Sequence, residues 1–153
     1  MQETASAAQP AQSDIEAPDT EGVTALMRAI QAGNTEEAQR LIDQGANVNV
    51  KTSTGVTPLM NASGMGQVEI VRSLLAKGAD VNARTPGNYT PLMTAALTGQ
   101  TLIVQMLLDA GADASVKDAS GRTAEAYAKE KSHEDIIKMI RDRNSSSDDS
   151  GKK

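Results

Sequence analysis

Thr57-Pro58-Leu59-Met60-Asn61-Ala62 is the stretch that decides the fold, because it recurs at a fixed interval. The similar stretch Thr90-Pro91-Leu92-Met93-Thr94-Ala95 stands 33 residues further along the chain. The threonine column extends in both directions, to Thr24 and to Thr123, and other columns keep the same step. This many columns in phase indicate an internal repeat of 33 residues rather than chance similarity.

Each repeat has the pattern of a turn followed by two short helices. Gly55 supplies the left-handed conformation of the turn, and the threonine that follows can cap the first helix. Pro58 stands in the first helical turn, where its missing N–H breaks no hydrogen bond. In the second helix, Ile70, Val71 and Leu74 have the spacing of one apolar face. No unit can bury that face alone, so the repeats must stack.

These motifs, continued by Gly66 and by Gly78-Ala79-Asp80-Val81-Asn82, resemble the ankyrin repeat over residues 19–141. The resemblance implies an all-α ankyrin-repeat solenoid of four helix-turn-helix repeats with hairpin-like turns between them. The family usually has histidine where this chain has Met27, Met60 and Met93, and methionine can only fill the space. The predicted division is a disordered acidic tail (1–18), repeats 19–51, 52–84, 85–117 and 118–143, and a disordered C-terminal tail (144–153).

The fourth repeat is predicted to close the stack as a terminal cap. Glu125 stands in a column of leucines, and most of the surrounding positions are charged. Tyr127 is expected to pack inside this cap. A solenoid end needs one apolar face and one wet face, which this pattern provides. Elsewhere, Asn49 and Asn82 are expected to make local hydrogen bonds to their own turns.

Composition excludes most chemistry from this chain. There is no cysteine, and His133 is the single histidine among 153 residues. Metal sites and acid–base machinery that need several such residues are therefore not available. We predict no enzyme activity, no catalytic residue, no metal and no cofactor.

The formal net charge of −5 is local to one end of the chain. Residues 1–22 carry five acidic residues and no lysine or arginine, and the rest of the chain is balanced. A nucleic-acid-binding protein needs a basic surface, and the overall charge indicates none. No apolar run approaches the ~18 residues of a membrane-spanning helix. We therefore expect neither nucleic acid nor a membrane as partner.

The resemblance places the family's binding surface at the turn tips and on the inner face of the first helices. Apolar residues recur there, which favours a contact surface, although scattered exposed apolar residues are the simpler interpretation. Lys51, Arg84 and Lys117 stand one period apart beside the turns and could steer an acidic partner. Their alternative role is solubility. The candidate partner-binding residues are Val23, Lys51, Val56, Met65, Arg84, Tyr89, Leu97, Thr98, Lys117 and Arg122.

The functional prediction is a non-enzymatic protein–protein interaction module that inhibits or masks one partner protein. The free chain is expected to be a monomer. The alternative is a scaffold or assembly subunit that associates with itself through its stack ends or tails. Residues 1–10 resemble the flexible start of a mature exported protein, so we favour a periplasmic over a cytoplasmic location and an exported bacterial enzyme as the partner.

Overall fold

The computed structural model describes residues 17–151, and side chains as far as residue 145. Two or three residues connect the helices of each pair, which makes the two helices antiparallel. No strand occurs within residues 17–151, and the predicted all-α fold is confirmed. The helices of this part of the chain are α1 (Ala25–Gln31), α2 (Thr35–Asp43), α3 (Pro58–Gly64), α4 (Val68–Ala76), α5 (Pro91–Thr98), α6 (Thr101–Asp109), α7 (Ala124–Glu130) and α8 (Glu134–Gly151).

The threonine column starts the first helix of every pair. The side-chain oxygens of Thr24, Thr57, Thr90 and Thr123 each accept a hydrogen bond from the backbone N–H three residues on, at 3.2–3.4 Å. Such a cap is typically worth about 1 kcal/mol of stability. The repeat therefore sets the start of each helix by local hydrogen bonding.

The first helices form a continuous inner layer. Helix α3 contacts both α1 and α5, and α5 also contacts α7. Ala62, Ala95 and Ala128 have no exposed surface in these contacts. A methyl group lets two backbones approach closely, whereas a larger side chain would force the helices apart. The alanine column therefore sets the spacing of the repeats.

The second helices pack as an outer layer over the same core. One branched residue from each of them is at most 2% exposed: Leu41, Leu74, Leu107 and Ile140. The three methionines that replace the family's histidine are at most 3% exposed. Their predicted role as space-filling residues is confirmed.

The asparagine column connects neighbouring repeats, and the expectation of purely local bonding was wrong. Asn82 Nδ2 donates to the carbonyl of Gly111 at 3.1 Å, and Asn82 Oδ1 accepts from the backbone N–H of Asp113 at 2.8 Å. Asn49 makes the equivalent two bonds to the loop that follows α4, in the second repeat. The local bond is made instead by Asp80 Oδ1, which accepts from the N–H of Asn82. Stacking brings the next loop within reach, which a local rule cannot anticipate.

We expect Asn82→Ala to lower the free energy of unfolding by about 2 kcal/mol. The substitution removes two hydrogen bonds between repeats and leaves their loop partners without protein partners. Chemical denaturation measures the effect. Asn144→Ala is the control, because Asn144 is exposed on α8, and we expect a change within about 0.5 kcal/mol. Equal effects would contradict the role of Asn82 in joining repeats.

The last pair has the two faces that a terminal cap needs. Ile136, Ile137 and Ile140 are at most 6% exposed on the inner side. On the side that faces solvent, the Glu125 carboxylate forms ion pairs with Lys129 at 2.9 Å and with Arg141 at 3.0 Å. Tyr127 is 6% exposed, so its predicted packing inside the cap is confirmed.

Helix α8 continues beyond the predicted domain boundary. Residues 144–151 are helical, where the sequence predicts an irregular tail. Helix extension adds one hydrogen bond per residue once a helix is nucleated, and no proline interrupts this segment. The mobility of this segment stays a prediction. The predicted tail 1–18 lies outside the described residues, apart from Ala17 and Pro18, which are exposed.

Arg143 anchors α8 to the end of α6. Its Nη1 donates to the carbonyl of Leu108 at 3.1 Å, and its Nη2 bonds Asp109 Oδ1 at 2.5 Å. The guanidinium holds the pKa of Asp109 below its usual value. A cation at the C-terminal end of a helix also interacts favourably with the helix dipole.

Within residues 17–151, no helix is both long and apolar enough to cross a membrane.

Candidate partner-binding surface

Four hairpin turns precede the first helices, and we call them fingers 1 to 4: residues 19–23, 52–56, 85–89 and 118–122. In each finger, the N–H of the first residue donates to the carbonyl of the fifth, at 2.9–3.0 Å. The side chain of the first residue accepts in return from the N–H of the fifth, at 2.9–3.1 Å. The fourth residue has a positive φ, and Asn88 adopts it at 62° where the other fingers have glycine. These two hydrogen bonds close each finger and hold its backbone conformation before any partner binds.

The joints between neighbouring fingers are not equivalent. Ser53 N–H donates to the carbonyl of Glu21 at 2.8 Å, and Ala119 N–H donates to that of Gly87 at 2.9 Å. The corresponding residue of finger 3 is Pro86, which has no N–H to donate. Its ring instead packs on Gly55, where an added Cβ would lie 2.7 Å from Pro86 Cδ. The joint between fingers 2 and 3 therefore depends on contact rather than on a hydrogen bond.

Two grooves open between the first three fingers. The first groove has a volume of about 360 Å³ and the second of about 190 Å³. Val56 and Asn61 line both of them, so the grooves are adjacent. The first is also lined by Glu21, Val23, Gln31 and residues 52–54, and the second by Met60, Thr85, Tyr89 and Thr94.

Three of the predicted contact residues line the grooves. Val23 and Val56 meet in the first groove, and Val56 and Tyr89 meet in the second. All three are half-buried rather than fully exposed. They therefore present apolar walls rather than projecting side chains.

Tyr89 is part of an aromatic cluster with the cap. Its ring meets the ring of Tyr127 edge to face, with centroids 5.6 Å apart. Burial raises the pKa of Tyr89, so its hydroxyl is neutral at physiological pH. Truncation of Tyr89 would remove an aromatic pair that is worth about 0.5–1.5 kcal/mol. We therefore expect Tyr89→Ala to destabilise the fold by a similar amount, so this variant does not isolate an effect on binding.

Arg122 belongs to the same cluster. Its guanidinium lies 4.5 Å from the centroid of the Tyr127 ring and pairs with Asp118 at 3.5 Å and with Glu130 at 3.3 Å. The Tyr127 hydroxyl donates to Asp118, and this bond holds the pKa of Asp118 below its usual value. Burial, together with the Asp118 carboxylate, raises the pKa of Tyr127 to about 12. Arg122 is thus held within its own repeat by these contacts.

The inner-helix candidates lie outside both grooves. Met65 is 48% exposed at the end of α3. Leu97 is half-buried against the core, and Thr98 is exposed and donates to the carbonyl of Thr94 at 2.9 Å. Met65 is therefore an apolar candidate whose side chain can be changed with little disturbance of the core.

The basic column is exposed but does not line the grooves. Lys51, Arg84 and Lys117 are all exposed, and none of them lines either groove. Arg84 lies close enough to Asp113 to contribute to lowering the pKa of that carboxyl, behind the hydrogen bonds from Ser115. Arg84 therefore has an acidic neighbour in the loop that follows α6.

The predicted contact residues leave out most of the groove lining, including Asn61 and Glu21, and one exposed apolar residue. Asn61 lines both grooves, and Glu21 supplies the ionisable group of the first. Leu102 is 55% exposed on α6, at a position where the other repeats carry Glu36, Glu69 and Asp135. An apolar residue at an otherwise acidic position could have been recognised in the sequence. Asn61 and Glu21 could not be recognised in this way, because the residue type at each of these two positions differs in every repeat.

No metal site was found in the described part of the chain. Among residues 17–151, no group of three or more His, Cys, Asp or Glu side chains could hold a metal ion. The arrangement instead offers two preformed grooves and a row of ordered turns. Such a surface can recognise another protein by its shape.

Stacked helix pairs with ordered turns define the class of repeat solenoids. A family model described as ankyrin repeats in three copies matches residues 3–85, and a second, described as ankyrin repeats in many copies, matches residues 74–128. The chain belongs to the ankyrin-repeat family, and the resemblance in its sequence is confirmed. No curated protein matches the chain significantly. Ankyrin-repeat domains are protein–protein interaction modules that are generally non-enzymatic.

Proposed function

We propose that the fingers and inner helices of this chain bind one partner protein, and that binding masks or inhibits that partner. The observation that carries the proposal is the pair of preformed grooves between fingers 1 to 3. Each finger is closed by its own hydrogen bonds, so little conformational entropy is lost when a partner docks. The proposed contact residues remain Val23, Val56, Met65, Tyr89, Leu97 and Thr98, with Lys51, Arg84, Lys117 and Arg122 at their margins.

Masking is the simplest action for such a surface. The four repeats offer one interaction surface and, among the described residues, no second domain to which a bound partner could be delivered. A bound protein would therefore be affected by being covered. The class of partner that we propose is an exported enzyme, which this chain would cover.

The test compares two exposed apolar side chains on opposite layers of the stack. Met65, on the inner layer, is 48% exposed, and Leu102, on the outer layer, is 55% exposed. A partner is first isolated with the wild-type chain as bait, and its dissociation constant is then measured with each variant. We expect Met65→Gln to weaken binding about tenfold, which corresponds to about 1.4 kcal/mol.

Leu102→Gln is the matched control and should leave the dissociation constant unchanged. Addition of the wild-type chain should also reduce the activity of the isolated partner. A loss of binding in Leu102→Gln together with unchanged binding in Met65→Gln would place the contact on the outer helices and refute the proposal. The alternative of self-assembly predicts a stable oligomer of the chain alone, which sedimentation measures directly.

A further inference from the structure

The two grooves differ in chemistry, and this difference specifies what can fill them. We propose that the partner presents an extended segment with a basic side chain in the first groove and an apolar side chain in the second. This inference rests on the proposed function, because both grooves belong to the proposed contact surface. It adds the chemical class of the segment that is recognised.

The first groove offers one carboxylate to a ligand. Glu21 is the only ionisable residue in its lining, and its side chain is exposed. Within the described part of the chain, no ion pair engages the Glu21 carboxylate. Asp19 differs, because the N–H groups of Val23 and Glu21 and the guanidinium of Arg28 hold its pKa below the usual value. Glu21 is therefore the anion available to a partner.

The remaining walls of the first groove suit a long basic side chain. Val23 and Val56 can cover the aliphatic stem of lysine or arginine while its charged head stays at the polar end. Gln31 and the residues of finger 2 add neutral polar groups. Arg28, in the same repeat as Glu21, donates to the carbonyl of Val23 at 3.0 Å and pairs with Asp19 at 3.5 Å. Its charge is therefore offset locally.

The backbone holds Glu21 in place for this role. Its carbonyl accepts from Ser53 N–H at 2.8 Å, and its own N–H donates to Asp19 Oδ1 at 2.9 Å. The carboxylate thus projects from a turn that is fixed to the neighbouring finger. An anion on a fixed turn gives specificity for a cation, because little reorganisation is needed on binding.

The second groove has no charged wall. Val56, Met60 and the neutral Tyr89 ring form most of its lining, together with two threonines and Asn61. Its volume of about 190 Å³ is smaller than the ~300–1,000 Å³ of typical small-molecule pockets. A groove of this size and polarity fits one apolar side chain rather than a cofactor.

The spacing of the repeats sets the spacing of the two side chains. Packed helices lie about 8–10 Å apart, so adjacent grooves are separated by a similar distance. An extended polyproline-type segment advances about 3.1 Å per residue and returns to the same face every third residue. The basic and apolar side chains should therefore stand three residues apart.

A peptide selection tests the inference without knowledge of the natural partner. The probe is a phage-displayed library of random 12-residue peptides, selected on the full chain. We expect enriched peptides to carry lysine or arginine three residues from a branched aliphatic or aromatic residue. A synthetic peptide of the enriched sequence should bind Glu21→Gln at least tenfold more weakly than the wild type. Replacing its apolar residue by serine should weaken binding by a similar factor.

Glu36→Gln is the matched control, because Glu36 is an exposed carboxylate of the same repeat on the outer helix α2. It should leave peptide affinity unchanged. Enrichment of acidic peptides, or equal affinity for Glu21→Gln and wild type, would overturn this inference alone when Met65→Gln still weakens the natural partner. Absence of any enrichment would count against the inference, and peptides sensitive to Leu102→Gln would contradict both proposals.

Discussion

Leu74→Ala is expected to lower the free energy of unfolding by about 2–5 kcal/mol. Leu74 lies on α4 with no exposed surface, between the outer helices of the first and third repeats. Its truncation leaves a cavity that α2 and α6 share, and helices that are packed on both sides cannot collapse fully into it. Leu107→Ala on α6 should behave in the same way, because Leu107 is equally buried. Chemical denaturation measures both variants.

Leu102→Ala provides a control with the same chemical change on the same helix as Leu107. Leu102 is 55% exposed, so its truncation removes little buried surface. We expect a change within about 0.5 kcal/mol. If Leu102→Ala and Leu107→Ala had equal effects, the assignment of inner and outer faces to the second helices would be wrong.

Gly55→Ala is expected to lower the free energy of unfolding by about 2–4 kcal/mol. Gly55 has a φ of 83°, which a residue with a Cβ rarely adopts. The added Cβ would also lie 2.7 Å from Pro86 Cδ and 3.1 Å from Thr85 Cα. Both neighbours are part of finger 3, so the clash is relieved only by separating fingers 2 and 3. The groove between these fingers should therefore change shape as well.

Gly121→Ala separates the two causes of this loss. Gly121 holds the equivalent turn position in finger 4, with a φ of 82°, and beyond its chain neighbours an added Cβ would have no atom within 4 Å. It should show the conformational cost alone, about 1–2 kcal/mol. Thermal or chemical denaturation of both variants gives the difference. Equal losses would show that the contact between Gly55 and finger 3 does not stabilise the stack.

Most of the fold could be predicted because each repeated residue obeys a local rule. A threonine before a helix caps it, a turn glycine takes a positive φ, and an alanine between helices permits close packing. Thr57, Gly55 and Ala62 each follow one of these rules within a few residues of chain. The same rules could not give the cross-repeat bonds of Asn82, since its partners lie 29 and 31 residues away.

The candidate surface could be predicted only in outline. The turns that form the fingers could be located from their glycine column, but the pairing of side chains across repeats depends on their size. Tyr89 reaches Tyr127 because the fourth repeat has a tyrosine where the third has Thr94 and the second has Asn61. Pro86 has no N–H to donate to finger 2. The effect of this absence can be seen only in the stacked structure, where finger 2 lies beside finger 3. Contacts of this kind require the stacked geometry.

The central claim is that the fingers and inner helices form the binding surface. Its most direct test is amide hydrogen exchange of the chain alone and in complex with the partner isolated by the wild-type bait. We predict slower exchange in the complex for fingers 1 to 3 and the end of α3, with α2, α4 and α6 unchanged. Protection confined to the outer helices α2, α4 and α6, with fingers 1 to 3 unaffected, would contradict the claim.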